Sequence, residues 1–215
     1  MSSCNCQPGA AIGDLVDQSG KFNISQTVRV IFTRLRNGAA LNSITVATNN
    51  PTLLATWTTL LDATDATKAQ ITPMYGGGTI EPGDVRSFGG GNETPLGIPI
   101  PLGSDFSQFS GNFLRPQPEV MLPIKDLLRC EDALAVWFIN DCGDIFGLTD
   151  SHSSPTLFLP IPIYAGILLD RNNPGREAAD FNAMQFALAE GWDDYLTSYT
   201  PADFDAVNEL ANTTS

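Results

Sequence analysis

Glycine and proline interrupt the stretch from Ile71 to Leu114 so often that regular structure is broken there repeatedly. Met74-Tyr75-Gly76-Gly77-Gly78, Pro82-Gly83, Gly89-Gly90-Gly91 and the run from Pro95 to Gly103 each break helix or strand. Phe88, Leu96, Ile98, Ile100, Phe106, Phe109 and Phe113 lie in the same stretch, which makes it too apolar for a plain linker. Two readings fit this mixture. It is an insertion that gains order by lying on a neighbouring subunit, or a long loop folded back on its own domain.

The remaining sequence reads as strands with two helices. From Lys21 to Arg34, Phe22, Ile24, Val28, Val30 and Phe32 share one parity, the period of a half-buried strand. Asn37-Gly38 signals a tight turn, so Leu41 to Ala47 is expected to return as the partner strand of a hairpin. Pro51 to Asp65 is expected to be helical. Asn50 would cap it, Pro51 would sit at its first position, and Leu53, Leu54, Trp57, Leu60 and Leu61 would form its apolar stripe. A short helical turn is expected in Glu119 to Leu128, then strands at Ala133–Phe138 and Ile145–Leu148 around a turn at Gly143. Pro160 and Pro162 confine Leu157 to Leu169 to an edge or irregular strand. Asp180 to Leu188 suits either period, and Gly191-Trp192 directly after it favours a strand. A second helix is expected at Pro201 to Ala211, capped by Thr200, with Asp203 and Asp205 in its first turn. Met1 to Asp14 reads as a flexible arm, and 15–215 as a single β-rich domain containing the 71–114 insertion.

Charge narrows the function. Only 16% of residues are charged, against about a quarter in ordinary globular chains, so much of the surface must be Thr, Ser, Asn, Gly and Pro or be covered by a neighbour. The net charge of −13 is uneven: residues 1–107 hold 8 acidic and 6 basic side chains, and 108–215 hold 16 and 5. Binding nucleic acid through its phosphates needs clustered Lys and Arg, which this balance argues against. An acidic surface either keeps the chain soluble or repels a polyanion.

Candidate chemistry is sparse. His152 is the single histidine, in the loop Ser151-His152-Ser153-Ser154-Pro155, and no serine sits in a nucleophile-elbow pattern. Neither glycine triplet is followed by Lys and Ser/Thr, so the phosphate-loop and dinucleotide readings fail. Asp141-Cys142-Gly143-Asp144 is too short for a helix-loop-helix calcium site and reads as a turn. The pairs Asp193-Asp194 and Glu131-Asp132 could serve acid/base work, and any acidic protein contains such pairs by chance. Cys4 and Cys6 lie too far from Cys130 and Cys142, and histidine is too scarce, for a zinc finger. Cys130 and Cys142 flank a strand, where a disulfide is possible and two buried free thiols are favoured. No secretory signal or bilayer-spanning run is evident, so a soluble chain made in a reducing compartment is expected, with no catalytic, cofactor or metal residues.

Val136-Trp137-Phe138-Ile139-Asn140 running into Gly143-Asp144-Ile145-Phe146-Gly147, then Phe186-x-Leu188-x-x-Gly191-Trp192 and Thr200-Pro201-x-Asp203-Phe204, resembles the tail tube proteins of tailed bacteriophages over about 130–210. The resemblance implies a β-sandwich or barrel with flanking helices, assembled as stacked, typically hexameric rings. It implies a virion protein made in the host bacterial cytoplasm, with partners that are copies of itself and neighbouring virion proteins. It also implies an acidic lumen through which DNA passes without specific binding. Residues 1–129 carry no such likeness, which leaves open a neck, terminator or head decoration protein. Trp57, Trp137 and Trp192 with the Gly/Asn/Thr-rich loops would also suit a carbohydrate-binding β module, and the carboxylate pairs a hydrolase.

Overall fold

A computed structural model describes residues 24, 26–91, 98–130, 133–176 and 178–212. The first seven elements are β1 (Thr27–Arg34), β2 (Arg36–Asn37), β3 (Ala40–Leu41), β4 (Ile44–Thr45), α1 (Leu54–Leu61), β5 (Ala69–Ile71) and β6 (Gly76–Glu81). There follow β7 (Val85–Phe88), β8 (Ile100–Ser104), β9 (Ser107–Leu114), α2 (Pro118–Cys130), β10 (Leu134–Asn140) and β11 (Ile145–Thr149). The last are β12 (Leu157–Leu159), β13 (Ile161–Leu168), β14 (Phe181–Leu188) and β15 (Leu196–Tyr199). The protein is mainly β, as expected.

Six strands close on themselves. Each pairs antiparallel with the next in the circuit β1–β10–β13–β14–β9–β6, and β6 returns to β1 at Thr27 and Gly78. Closure removes the two edges that an open sheet would leave unpaired. The inward side chains fill the barrel: Phe109 stacks on Phe186 at 4.4 Å between ring centroids, and Phe138 lies 5.3 Å from Phe109. A small barrel filled in this way is a core and not a pore.

Strand β10 explains why simple alternation fails in Leu-Ala-Val-Trp-Phe-Ile-Asn: all seven residues are buried. Leu134, Val136 and Phe138 point into the barrel. Trp137 and Ile139 point outward into a second core with Ile31, Trp57, Leu61 and Phe158, roofed by α1 and residues 204–210. Trp57 meets Trp137 edge to face at 5.3 Å. Strand β1 divides the same way, Val30 and Phe32 inward and Ile31 outward.

Helix α2 leaves β9 and enters β10, strands that stand three places apart around the six-strand circuit. It therefore crosses one end of the barrel, and its 13 residues span about 20 Å at 1.5 Å per residue. Met121, Ile124 and Leu128, at i, i+3 and i+7, join the barrel core. The expected short turn is thus a full helix; Pro123 costs it a hydrogen bond but stays on the exposed face.

Several expectations need correction. The tight turn expected at Asn37-Gly38 forms and joins β2 to β3 (Arg36–Leu41, Asn37–Ala40), but the partner strand does not run on to Ala47 along β1: beyond Leu41 the chain forms β4, which pairs with β12. The Asn42 N–H adds one more rung to this hairpin at Leu35 O, and its buried side-chain amide donates to Arg34 O and Ala66 O, which draws the chain away beyond that point. Helix α1 begins later than expected because Asn50 holds the Thr52 N–H and hydroxyl, while the first helical N–H, that of Leu54, is taken by Asp203 Oδ1. The second helix, at Pro201–Ala211, does not form. Arg29 donates to the carbonyls of Val207 and Leu210 at 2.7 and 2.9 Å, and Asp205 binds the amides of Val207 and Asn208, so the segment closes one turn. Leu157–Leu169 is irregular but not an edge. Strand β13 lies inside the barrel, meets β10 only at Ala135–Pro162 and Val136–Ile161, and bulges between Tyr164 and Ile167, with Ala165 at φ 50°. Asp180–Leu188 is the strand expected. Of 71–114, the ends supply barrel strands β6 and β9, and β7 and β8 form a separate hairpin. The arm at 1–14 lies outside the described residues.

Because Trp137 is the largest side chain by which the barrel wall meets helix α1, Trp137→Ala should cost about 3–5 kcal/mol in urea unfolding. A loss under about 1 kcal/mol would show that the outer core contributes little to stability.

Candidate functional site

The β7–β8 hairpin rises from the end of the barrel opposite α2, between the end of β6 and the start of β9. Its base is tightly held. A side chain at Gly83 would stand 2.1 Å from Asp105 O, and Asp105 N donates to Asp84 O at 2.9 Å. The Arg86 guanidinium pairs with Asp105 at 3.2 Å and donates to Ser104 O at 3.1 Å. From the barrel side, Glu190 Oε1 accepts the Ser104 N–H at 3.2 Å, and Phe106 lies 5.6 Å from Tyr164.

Above this base the hairpin is apolar and largely exposed among the described residues. Val85 is 77% exposed, Ile98 61%, Leu102 60%, Phe88 57% and Ile100 50%. A patch of this kind on a soluble chain marks a contact surface, and an isolated two-stranded hairpin is only marginally stable by itself. The glycine triplets also find their reasons here. Gly78 has Thr27 Oγ1 2.4 Å from where a Cβ would sit, so β1 and β6 can approach only without a side chain. Gly89, Gly90 and Gly91 all have positive φ, 74°, 124° and 56°, which turns the chain beyond β7.

The sequence-level candidates for chemistry are occupied by structural tasks. His152 stacks on Tyr195 at 5.0 Å, and its Nε2 lies 2.8 Å from Asp194 O, tying two loops together. Ser151 Oγ faces Ser153 Oγ at 3.3 Å rather than the imidazole. Asp144 donates its backbone N–H to Asn140 Oδ1 and its carboxylate accepts the Thr200 hydroxyl, which sets the β10–β11 turn. Cys142 is a free thiol, exposed rather than buried, and Asp141 raises its pKa, so the thiolate is scarce. Burial likewise raises the pKa of the Tyr75 hydroxyl inside the barrel, beside Thr27. Hydrogen bonds from Thr156 and Leu157 hold the Asp150 carboxyl well below the usual carboxylate range, fixing the β11–β12 connection. Trp57 and Trp137 are buried and Trp192 packs partly on the barrel core, so none of the three forms an open platform for a sugar ring. Glu131-Asp132, Cys4 and Cys6 lie outside the described residues, as does the side chain of Cys130. Among the described residues no three potential ligands gather at a metal site, and no helix is long and apolar enough to cross a membrane.

No family model and no curated protein matches the chain. Among solved structures it is similar to a chain from the tail of an empty GTA particle refined with C6 symmetry. The two share 13% identity with a TM-score of 0.34, over 63% of this chain and 87% of the other. It is also similar to a chain of the anti-feeding prophage (AFP) baseplate, six-fold symmetrised. There the identity is 10% and the TM-score 0.34, over 84% of this chain and 97% of the other. At these scores neither likeness carries an inference about function.

Glu190 is the barrel's direct hold on the hairpin base. Glu190→Ala should raise amide exchange at Ser104 about tenfold, with the amides of β9 and β14 unchanged. Equal loss of protection across all three strands would show the hairpin to be inseparable from the barrel.

Proposed function

We propose that this chain is a non-enzymatic structural protein of a bacteriophage-tail-type virion, assembling with copies of itself into stacked rings that form a tail tube. The observation that carries this reading is the hairpin: a stiff base holding aloft a strand pair whose large apolar side chains Val85, Phe88, Ile100 and Leu102 stand half or more exposed among the described residues. Exposing them in a monomer is unfavourable at about 25 cal/mol per Å², and a neighbouring copy removes the cost. The low charge content and the arm at 1–14 fit the same reading, the arm supplying a further contact between copies. In this account 15–215 is one assembly domain.

The filled barrel directs where DNA would pass. No duplex fits inside a subunit packed with Phe109, Phe138 and Phe186, so the channel is the space that a ring, hexameric in this proposal, encloses. The outer face of β6, β9 and β14 is uncovered by helix and shows Thr79, Glu81, Gln108, Ser110, Asn112 and Gln185, with neither Lys nor Arg. A wall of that composition has no cation for a phosphate to bind, and the chain's net charge of −13 repels the polyanion.

Electron microscopy of the purified chain at about 0.1 mM should show hollow tubes with a ring repeat. Single rings that never stack would favour a neck or terminator component instead. Sedimentation as a monomer at that concentration would refute self-assembly.

A further inference from the structure

The strand register sorts the charges along the barrel axis. At the hairpin end lie Glu81, Asp84, Asp105, Asp141, Asp144, Glu190, Asp193 and Asp194, with Arg86 as the one cation there among the described residues. At the end crossed by α2 lie Arg34, Arg36, Lys68, Arg115, Lys125, Arg129, Arg171 and Arg176, which leaves only Arg29 and Arg86 of the described cations elsewhere. Carboxylates are present at the α2 end too, Asp65, Glu119, Asp126, Asp170 and Asp180 among them, so charge there is mixed where the other end is almost wholly anionic.

The α2 end also carries an apolar groove of about 390 Å³, between α2 and the ends of β13 and β14. Met121, Leu122 and Leu168 supply its apolar wall, with Leu122 59% exposed. Lys125 and Arg171 stand on its rim, steadied by Asp170 and by the Pro116 carbonyl.

We infer that copies join head to tail along the barrel axis, the apolar β7–β8 hairpin of one copy lying in the α2 groove of the next. This rests on the self-assembly reading and names the two surfaces it uses. The charges select this pairing over the symmetric one. Two hairpin ends face to face would oppose eight carboxylates to eight, whereas hairpin end on α2 end sets carboxylates against Lys and Arg. Because donor and acceptor surfaces sit at opposite ends, the contact is heterologous and repeats without limit.

The test uses two full-length variants altered at exposed positions: Ile100→Asp, which spoils the hairpin, and Leu122→Asp, which spoils the groove. Each alone should stop at one fixed mass, a single chain or a single layer, in analytical ultracentrifugation. An equimolar mixture retains one intact hairpin and one intact groove, and should give a species of about twice that mass and no larger. The recovery itself shows that both variants fold. Wild-type assembly without that doubling overturns the head-to-tail pairing and leaves self-assembly standing, as does either variant growing to wild-type length. A monomeric wild-type chain overturns both.

Discussion

The pairing of β1 with β10 is the contact on which the rest of the molecule depends. It runs from Thr27–Asn140 to Arg34–Leu134 and closes the barrel. It also supplies the wall shared by both cores, since inward residues of these strands pack on Phe109 and Phe186 while outward residues pack under α1. Each Phe or Trp buried on either side contributes about 1.5–3 kcal/mol, so losing this wall removes support from two cores at once. The helix α2 that crosses one end and the hairpin that rises from the other are placed by the strands this pairing organises.

How much of this was legible beforehand follows the range of the interactions. Local signals read well. The period of two in β1, the strands β10 and β11 around Gly143, and β14 before Gly191 all follow from neighbours within a few residues. The misreadings came from distant groups. Nothing in Pro201–Ala211 shows that Arg29 will claim its carbonyls, and nothing in Leu41–Ala47 shows that Asn42 will be drawn to Ala66. The short turn expected at Glu119–Leu128 is a full helix because the apolar stripe of α2 on the barrel outweighs the hydrogen bond missing at Pro123.

The surface shows the same division. The glycine- and proline-rich stretch with its large apolar residues suited either a segment lying on a neighbouring subunit or one folded back on its own domain, and its division into barrel strands β6 and β9 and a projecting hairpin needed the pairing with β1 and β14. The axial sorting of charge was hidden altogether. Along the sequence, Arg34, Lys68, Arg115 and Arg171 are scattered among acidic residues, and only the antiparallel register gathers them at one end.

The Arg29 guanidinium, donating to carbonyls 178 and 181 residues further along, has a consequence in time. Asn212 makes a similar long closure, taking the Ile71 N–H and returning its own amide to Ile71 O across 141 residues. During synthesis the early strands wait, with the outer core open, until residues 207–212 have been released. Such non-local closure makes folding slow, and it sets an order of events: a chain that lacks residues 204–212 lacks its outer roof, and the outer core is completed only once they are present.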